Sequence, residues 1–183
     1  VSKELGLNRF VCEQAVYHPL DRTIERDLMP FAQTYGHAII LWSPLAGGFL
    51  SGKYKRGSVN HSIQRVLQDR IDQGFEKDVE RSLNHGHNLV QEICCIAEEK
   101  GCTPSQFVLA WELSQPGITA AIAGFKNSQQ LQNNIKALEI TVSDKECKRI
   151  DAIARPRQAI IPFNDAEGRP PLNSDWGPHH FRW

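Results

Sequence analysis

The chain lacks an excess of charge of either sign. Its 183 residues carry 21 Lys plus Arg and 21 Asp plus Glu, a formal net charge of zero. A balanced chain has no basic field to hold nucleic acid and no polybasic patch for an anionic membrane surface. It lacks any apolar run approaching the roughly 18 residues of a membrane-spanning helix, and no signal peptide is visible among the first residues. It also lacks a C-x-x-C pair: the five cysteines are Cys12, Cys94, Cys95, Cys102 and Cys147. An odd number without metal-ligand spacing argues against a metal site. The adjacent Cys94 and Cys95 would leave one helix in different directions and make a poor disulfide. Reduced thiols in a cytoplasmic protein are the expectation. Internal repeats and low-complexity tracts are missing too. What is present is ordinary globular composition, with 40% hydrophobic and 23% charged residues, enough chain for one domain with a real core.

The most informative stretch is His37 to Tyr54, HAIILWSPLAGGFLSGKY. Ala38 to Trp42 is an apolar run that reads as a buried strand. It breaks at Ser43-Pro44 into the small-residue loop Ala46-Gly47-Gly48 and closes on Ser51-Gly52-Lys53-Tyr54. A buried strand that ends in a Gly-rich loop with a lysine is where α/β proteins hold anionic ligands, because glycine lets backbone N–H groups approach and lysine adds charge. Gly47 to Lys53 also fits G-x-x-x-x-G-K. The next residue, however, is Tyr54, where a P-loop needs Ser or Thr to hold Mg²⁺, and residues 55–60 start no apolar-periodic helix.

In chain order, Val1 to Leu7 reads as the tail of a helix already under way, which suggests a fragment. Val11 to Gln14 reads as a strand. Asp21 or Thr23 is a candidate cap for a helix over Ile24 to Tyr35, with Ile24, Leu28 and Phe31 on one face and Gly36 as its stop. Residues 55–77 read as a long irregular loop. A helix follows from Asp78, with Gly86 as a possible interruption and His85 and His87 as solvated residues. Thr103-Pro104-Ser105-Gln106 is a capping box opening the next helix. Ile118 to Ala123 is a buried strand. Asn127 or Ser128 caps a helix whose inner face is Leu131, Ile135 and Leu138, and Ser143 to Glu146 is a second capping box. Strand–helix alternation with continuous apolar strands predicts a parallel sheet whose ligand sits beyond the C-terminal strand ends. A helix N-terminus preceded by Lys126 is a second anion-binding feature.

Glu13-Gln14, Arg22 with Glu25, Trp42-Ser43-Pro44-Leu45, Thr103-Pro104-Ser105-Gln106 with Leu109-Ala110-Trp111, and Ile122-Ala123-Gly124 through Asn134 stand in an order that resembles the C-terminal half of an aldo-keto reductase. The resemblance implies an α/β fold, a partial (β/α)8 TIM barrel with about three parallel strands, flanking helices and an irregular tail. Residues 1–154 would form the barrel portion and residues 155–183 the tail. It implies NADP as cofactor, a carbonyl reduced to an alcohol by hydride transfer, and a small aldehyde or ketone as substrate.

Carried over residue by residue, Gln14 matches the glutamine that binds the nicotinamide carboxamide, and Trp42 the aromatic that stacks on the ring. Ser43, Pro44, Leu45 and Gly47 match the loop around the pyrophosphate, and Lys53 its nearby cation. Gly124, Lys126, Gln130, Asn133 and Asn134 match the segment that holds the adenosine and its 2′-phosphate. Many members carry Arg at the Gln130 position and Glu at the Asn133 position. The region 55–77 varies in the family and can fold over the cofactor. The family's catalytic Asp, Tyr, Lys and His lie in the first half of the barrel, so no catalytic residue is assigned in this chain. The Trp42-Ser43-Pro44-Leu45 form also occurs in channel-associated members, which leaves a non-catalytic NADP-binding subunit, or an inactive truncated product, as the alternatives.

Overall fold

A computed structural model describes residues 2, 4–56, 58–72 and 74–163. Three strands form one parallel sheet in the order β1 (Cys12–Val16), β2 (Ala38–Trp42), β3 (Ile118–Ile122). Helix α1 (Leu28–Tyr35) connects β1 to β2. The crossover from β2 to β3 carries α2 (His61–Asp72), α3 (Glu76–Lys100) and α4 (Pro104–Ser114). Helices α5 (Ser128–Ile135) and α6 (Asp144–Ile153) follow β3. The α/β class and the three parallel strands agree with the sequence reading. At the start of the chain, Ser2 and residues 4–6 form turns closed by Leu7 N to Ser2 O at 2.9 Å, with Gly6 at φ 66°, and the tail aromatics Trp176, Phe181 and Trp183 lie outside the described residues.

The sheet is two-faced, and the register says which residues share a face. Ile39 and Leu41 are fully buried and look toward the helices. Ile40 and Trp42 alternate to the other face. Gln14 pairs with Ile40, Val16 with Trp42, Ala120 with Ile40 and Ile122 with Trp42. Gln14, Val16, Ile40, Trp42, Ala120 and Ile122 therefore share the other face: Val16 is fully buried at its end, Ile40 and Trp42 are half-buried, and Ile122 is half exposed.

Several boundaries differ from the sequence reading, each for a physical reason. The predicted helix over 24–35 is a 3-10 turn, Thr23–Glu25, followed by α1 from Leu28. A helix beginning at Ile24 would put Pro30 in its interior. Beginning at Leu28, it puts Pro30 in the first turn, where a missing N–H costs nothing. Asp21 Oδ1 accepts from both Thr23 N and Thr23 Oγ1, an Asx-type turn leading into the 3-10 turn, whose cap position is Arg22. Gly36 ends α1 in the left-handed conformation, φ 62°.

The region 55–77 is not an irregular loop, since α2 occupies much of it. Asn60 supplies the start: its Oδ1 accepts from Ile63 N at 2.8 Å and its Nδ2 donates to Ala46 O at 2.7 Å. Ile63 and Leu67 are buried one turn apart, so α2 packs on the turn that follows β2. Gly86 does not interrupt α3. A Cβ there would sit 3.3 Å from Ile161 Cδ1 and 3.4 Å from Leu20 Cδ2, so the glycine permits close packing of the helix. His87 is buried against Phe49, with ring centroids 5.0 Å apart, which corrects its reading as a solvated residue. His85 is exposed and its Nε2 lies 2.9 Å from Ile153 O.

The two capping boxes form as read. Thr103 accepts from Gln106 N while Gln106 accepts from Thr103 N, and Ser143 and Glu146 do the same. Helix α4 is buried nearly all round, from Gln106 to Glu112, and Trp111 stacks on Tyr17 at 5.6 Å. Beside it lies a buried polar network. Arg22 reaches Glu25 at 2.7 Å and Asp151 at 2.6 Å, and Tyr17 donates to Glu25 at 2.7 Å. Leu131, Ile135 and Leu138 do not face inward: they are 42%, 57% and 74% exposed. Ala137 packs on α4 instead, beside Leu109 and Ala110, and Gln106 Nε2 donates to Asn133 O at 2.6 Å. These contacts fix α5 with its apolar stripe outward.

Candidate functional site

Backbone geometry builds the loop after β2. Ser43 and Ala46 adopt positive φ, 55° and 49°, although neither is glycine, and Gly47 and Gly48 follow at 64° and 93°. Such strain persists only where the surroundings over-determine it, and it concentrates at ligand sites. The turns are closed by Ala46 N to Ser43 O and Gly48 N to Leu45 O, both 2.8 Å. Ser51 Oγ donates to Gly48 O at 2.6 Å. Lys53 folds back over this loop, so that a Cβ on Gly48 would lie 2.9 Å from Lys53 Nζ. The ammonium also sits 5.0 Å from the Tyr54 ring centroid. Glycine at 48 is favoured by its φ, and a side chain there would push the end of the lysine aside.

The segment after β3 supplies the opposite wall. Asn127 Oδ1 caps α5 through Gln130 N at 2.9 Å, and Gln130 Oε1 accepts from Lys126 N at 2.9 Å. This holds Gln130 against the Lys126 backbone and leaves its Nε2 without a partner among the described residues. Between the two segments lies a cavity of about 570 Å³, within the usual range of small-molecule sites, roughly 300–1,000 Å³.

From the loop after β2, Ser43, Pro44, Leu45, Gly47 and Lys53 line this cavity; from the segment after β3, Gly124, Lys126, Gln130 and Asn134 line it. Three of the candidate residues lie elsewhere. Gln14 and Trp42 sit on the sheet face opposite Ile39 and Leu41, on adjacent strands. Asn133 turns aside, its Oδ1 taken by Gln129 Nε2 at 3.1 Å. Ile122 connects the two regions, because it pairs with Trp42 and also lines the cavity. Sequence reasoning did not single out Gly48, Ser51, Ser105 or Phe125 as site residues, although all four line the cavity. Ser105 was the most accessible to sequence, since Thr103 fixes the start of α4 and so places Ser105 on its exposed first turn.

Lys53 and Lys126 are the titratable groups of the lining, and neither forms an ion pair among the described residues. Two cations without ion pairs, three serines and two side-chain amides, drawn from two opposite segments, suit a ligand with separated anionic groups. Among the described residues no cluster of three potential metal ligands occurs, and no helix is long and apolar enough to cross a membrane. All five cysteines are free.

Residues 3–155 match the model of the aldo/keto reductase family. The chain belongs to that family. A putative voltage-gated potassium channel subunit beta from Schizosaccharomyces pombe is 35% identical over 147 residues, 78% of this chain and 42% of the relative. The uncharacterized oxidoreductase YrpG of Bacillus subtilis is 34% identical over 142 residues, 76% of this chain and 39% of its own length. A probable voltage-gated potassium channel subunit beta from Oryza sativa is 28% identical over 160 residues, covering 86% and 48%. The crystal structure of the thermostable aldo-keto reductase Tm1743 matches with a TM-score of 0.49 and 27% identity over 80% of this chain and 40% of that one. The chain thus spans less than half the length of these relatives. Aldo-keto reductases generally use a nicotinamide cofactor and small carbonyl substrates, a chemistry compatible with the cavity's charge and size.

Proposed function

We propose that this chain is the cofactor-holding part of an NADP-dependent aldo-keto reductase. The observation that carries this reading is the convergence of Lys53 and Lys126 on one cavity beside the face that bears Trp42 and Gln14. In this assignment Trp42 stacks on the nicotinamide ring and Gln14 holds its carboxamide. Ser43, Pro44, Leu45, Gly47 and Lys53 surround the pyrophosphate. Gly124, Lys126, Gln130 and Asn134 take the adenosine and its 2′-phosphate, with Asn133 behind them. The glycine pair after β2 supports the fit, because a side chain at 48 would displace the lysine.

When bound, NADP(H) supplies the hydride that turns a carbonyl into an alcohol. The residues of this chain bind and orient. The group that protonates the carbonyl oxygen belongs, in this proposal, to barrel strands outside these 183 residues, in a cytoplasmic protein. Those strands would also cover Ile122, Leu131, Ile135 and Leu138 and pair with the free edges of β1 and β3.

The test is a titration of the protein with NADPH and NADH, read by tryptophan fluorescence. Lys126→Glu should weaken NADPH more than NADH, since only NADPH carries the 2′-phosphate. Equal losses for both cofactors remove that role from Lys126. A second reading, a non-catalytic NADP-binding channel subunit, draws on the two relatives named potassium channel subunit beta. NADPH binding without turnover of any aldehyde or ketone favours it, and steady oxidation of NADPH by a carbonyl favours the enzyme.

A further inference from the structure

A second cavity, about 390 Å³, lies between α3, the C-terminal end of α6 and residues 155–160. It shares no lining residue with the first. Arg81 and His85 stand one turn apart on α3, with Ser82 beside them, and Arg155 and Gln158 face them from the segment after α6. No Asp or Glu lines this cleft among the described residues. Asp151 is held by Arg22 at 2.6 Å, and Asp78 lies 3.8 Å from Arg81 with both side chains mostly exposed, a contact of little worth in water. Arg155 has no ion pair among the described residues.

A helix C-terminus normally repels anions through its free carbonyls. Here two carbonyls at the end of α6 already have partners. His85 Nε2 meets Ile153 O at 2.9 Å and Arg22 Nη1 donates to Ala154 O at 2.7 Å. Arg81, Arg155, Ser82 and Gln158 then remain among the residues that line one hollow. Guanidinium forks match phosphate oxygens bidentately, where an ammonium offers a point charge. Exposed arginines usually serve solubility alone. Their place in the lining of one cleft of small-molecule size, with no acid in that lining, separates this cluster from that default.

We propose that this cleft binds a small phosphomonoester through Arg81 and Arg155, with Ser82 and Gln158 completing the contacts. The site is independent of the NADP assignment. Calorimetric titration of the protein with glycerol 3-phosphate at fixed ionic strength tests it. Saturable binding should weaken about tenfold or more in the double variant Arg81→Ala/Arg155→Ala. It should also weaken in Ser82→Asp, which places a carboxylate in the cleft, and should persist in Lys126→Glu. Both arginines are exposed, so the fold should survive their removal, as far-UV circular dichroism will report. Loss in Lys126→Glu with retention in the double arginine variant would assign the phosphate to the first cavity and overturn the proposal. An equal loss in Lys145→Ala/Lys148→Ala, which removes two charges elsewhere, would reduce the effect to net charge and overturn it as well. So would the absence of saturable binding.

Discussion

Glu112 lies in α4 with no exposed surface, and neither carboxyl oxygen has a hydrogen-bond partner among the described residues. Burial pushes its pKa well above the usual 4.5, because an unpaired carboxylate loses its hydration and gains nothing in return. The folded protein therefore keeps the neutral acid over a pH range in which the unfolded chain has already released its proton. The stability associated with this group is complete below pH 4.5 and falls as pH rises toward the folded-state value. The limiting slope for one proton is about 1.4 kcal/mol per pH unit. Between pH 5 and pH 6, most unfolded chains have Glu112 ionised, so wild type should lose stability, by at most about 1.2 kcal/mol, that a Glu112→Gln variant keeps. His18 produces a slope of opposite sign, since burial lowers its pKa to about 4 against 6.5 when free. That slope is common to both proteins and cancels in the difference. Urea denaturation of both proteins at pH 5 and pH 6, read by tryptophan fluorescence, measures the effect. Parallel changes in wild type and Glu112→Gln would mean that the buried carboxyl is not held neutral, and would refute the reasoning.

Three other outcomes follow from single contacts. Thr103→Ala removes the hydroxyl that accepts from Gln106 N at 3.2 Å and should cost about 1 kcal/mol in urea denaturation, with Thr103→Ser close to wild type; equal stability would deny the cap any weight. Trp42→Ala should cost roughly 1–3 kcal/mol of NADPH affinity by analogy with base–aromatic stacking, and an unchanged dissociation constant would sink the stacking assignment. Lys126→Glu should discriminate between NADPH and NADH in the same titration, as argued from its place in the cavity.

The sheet, both capping boxes and the cavity's two walls were legible because each rests on local rules. The apolar run at 38–42 makes a strand, Thr103 and Ser143 reach only three residues ahead, and a glycine pair after a strand announces a loop of unusual φ. The helix over 61–72 escaped because its apolar positions are sparse and its cap, Asn60, takes its meaning from a partner fourteen residues back, Ala46 O. Gly86 misled because a glycine in a helix signals a break locally and a close contact only in three dimensions. His87 looked solvated for the same reason: the ring it meets, Phe49, belongs to a distant turn. The outward stripe Leu131, Ile135 and Leu138 could not be read at all. Periodicity marks an apolar face without saying which neighbour it meets, and here Ala137 took the contact with α4.

The candidate site divides along the same line between local and non-local order. Its proposed anion-binding part comes from two loops whose geometry is set by short-range features, the glycine pair with Lys53 and the Asn127 cap with Lys126. Its other part, Gln14 and Trp42, lies on one sheet face only because β1 and β2 pair in a register that sets Gln14 opposite Ile40. A slip of one residue in that register would turn Gln14 to the helix side and leave the cavity unchanged. The two parts should therefore fail separately. Changes in the loops should affect the phosphate-dependent share of cofactor affinity, and changes in strand pairing should affect the share carried by the nicotinamide ring. Ile122 is the exception, since it belongs to both surfaces, and a bulky polar residue there should weaken both shares together.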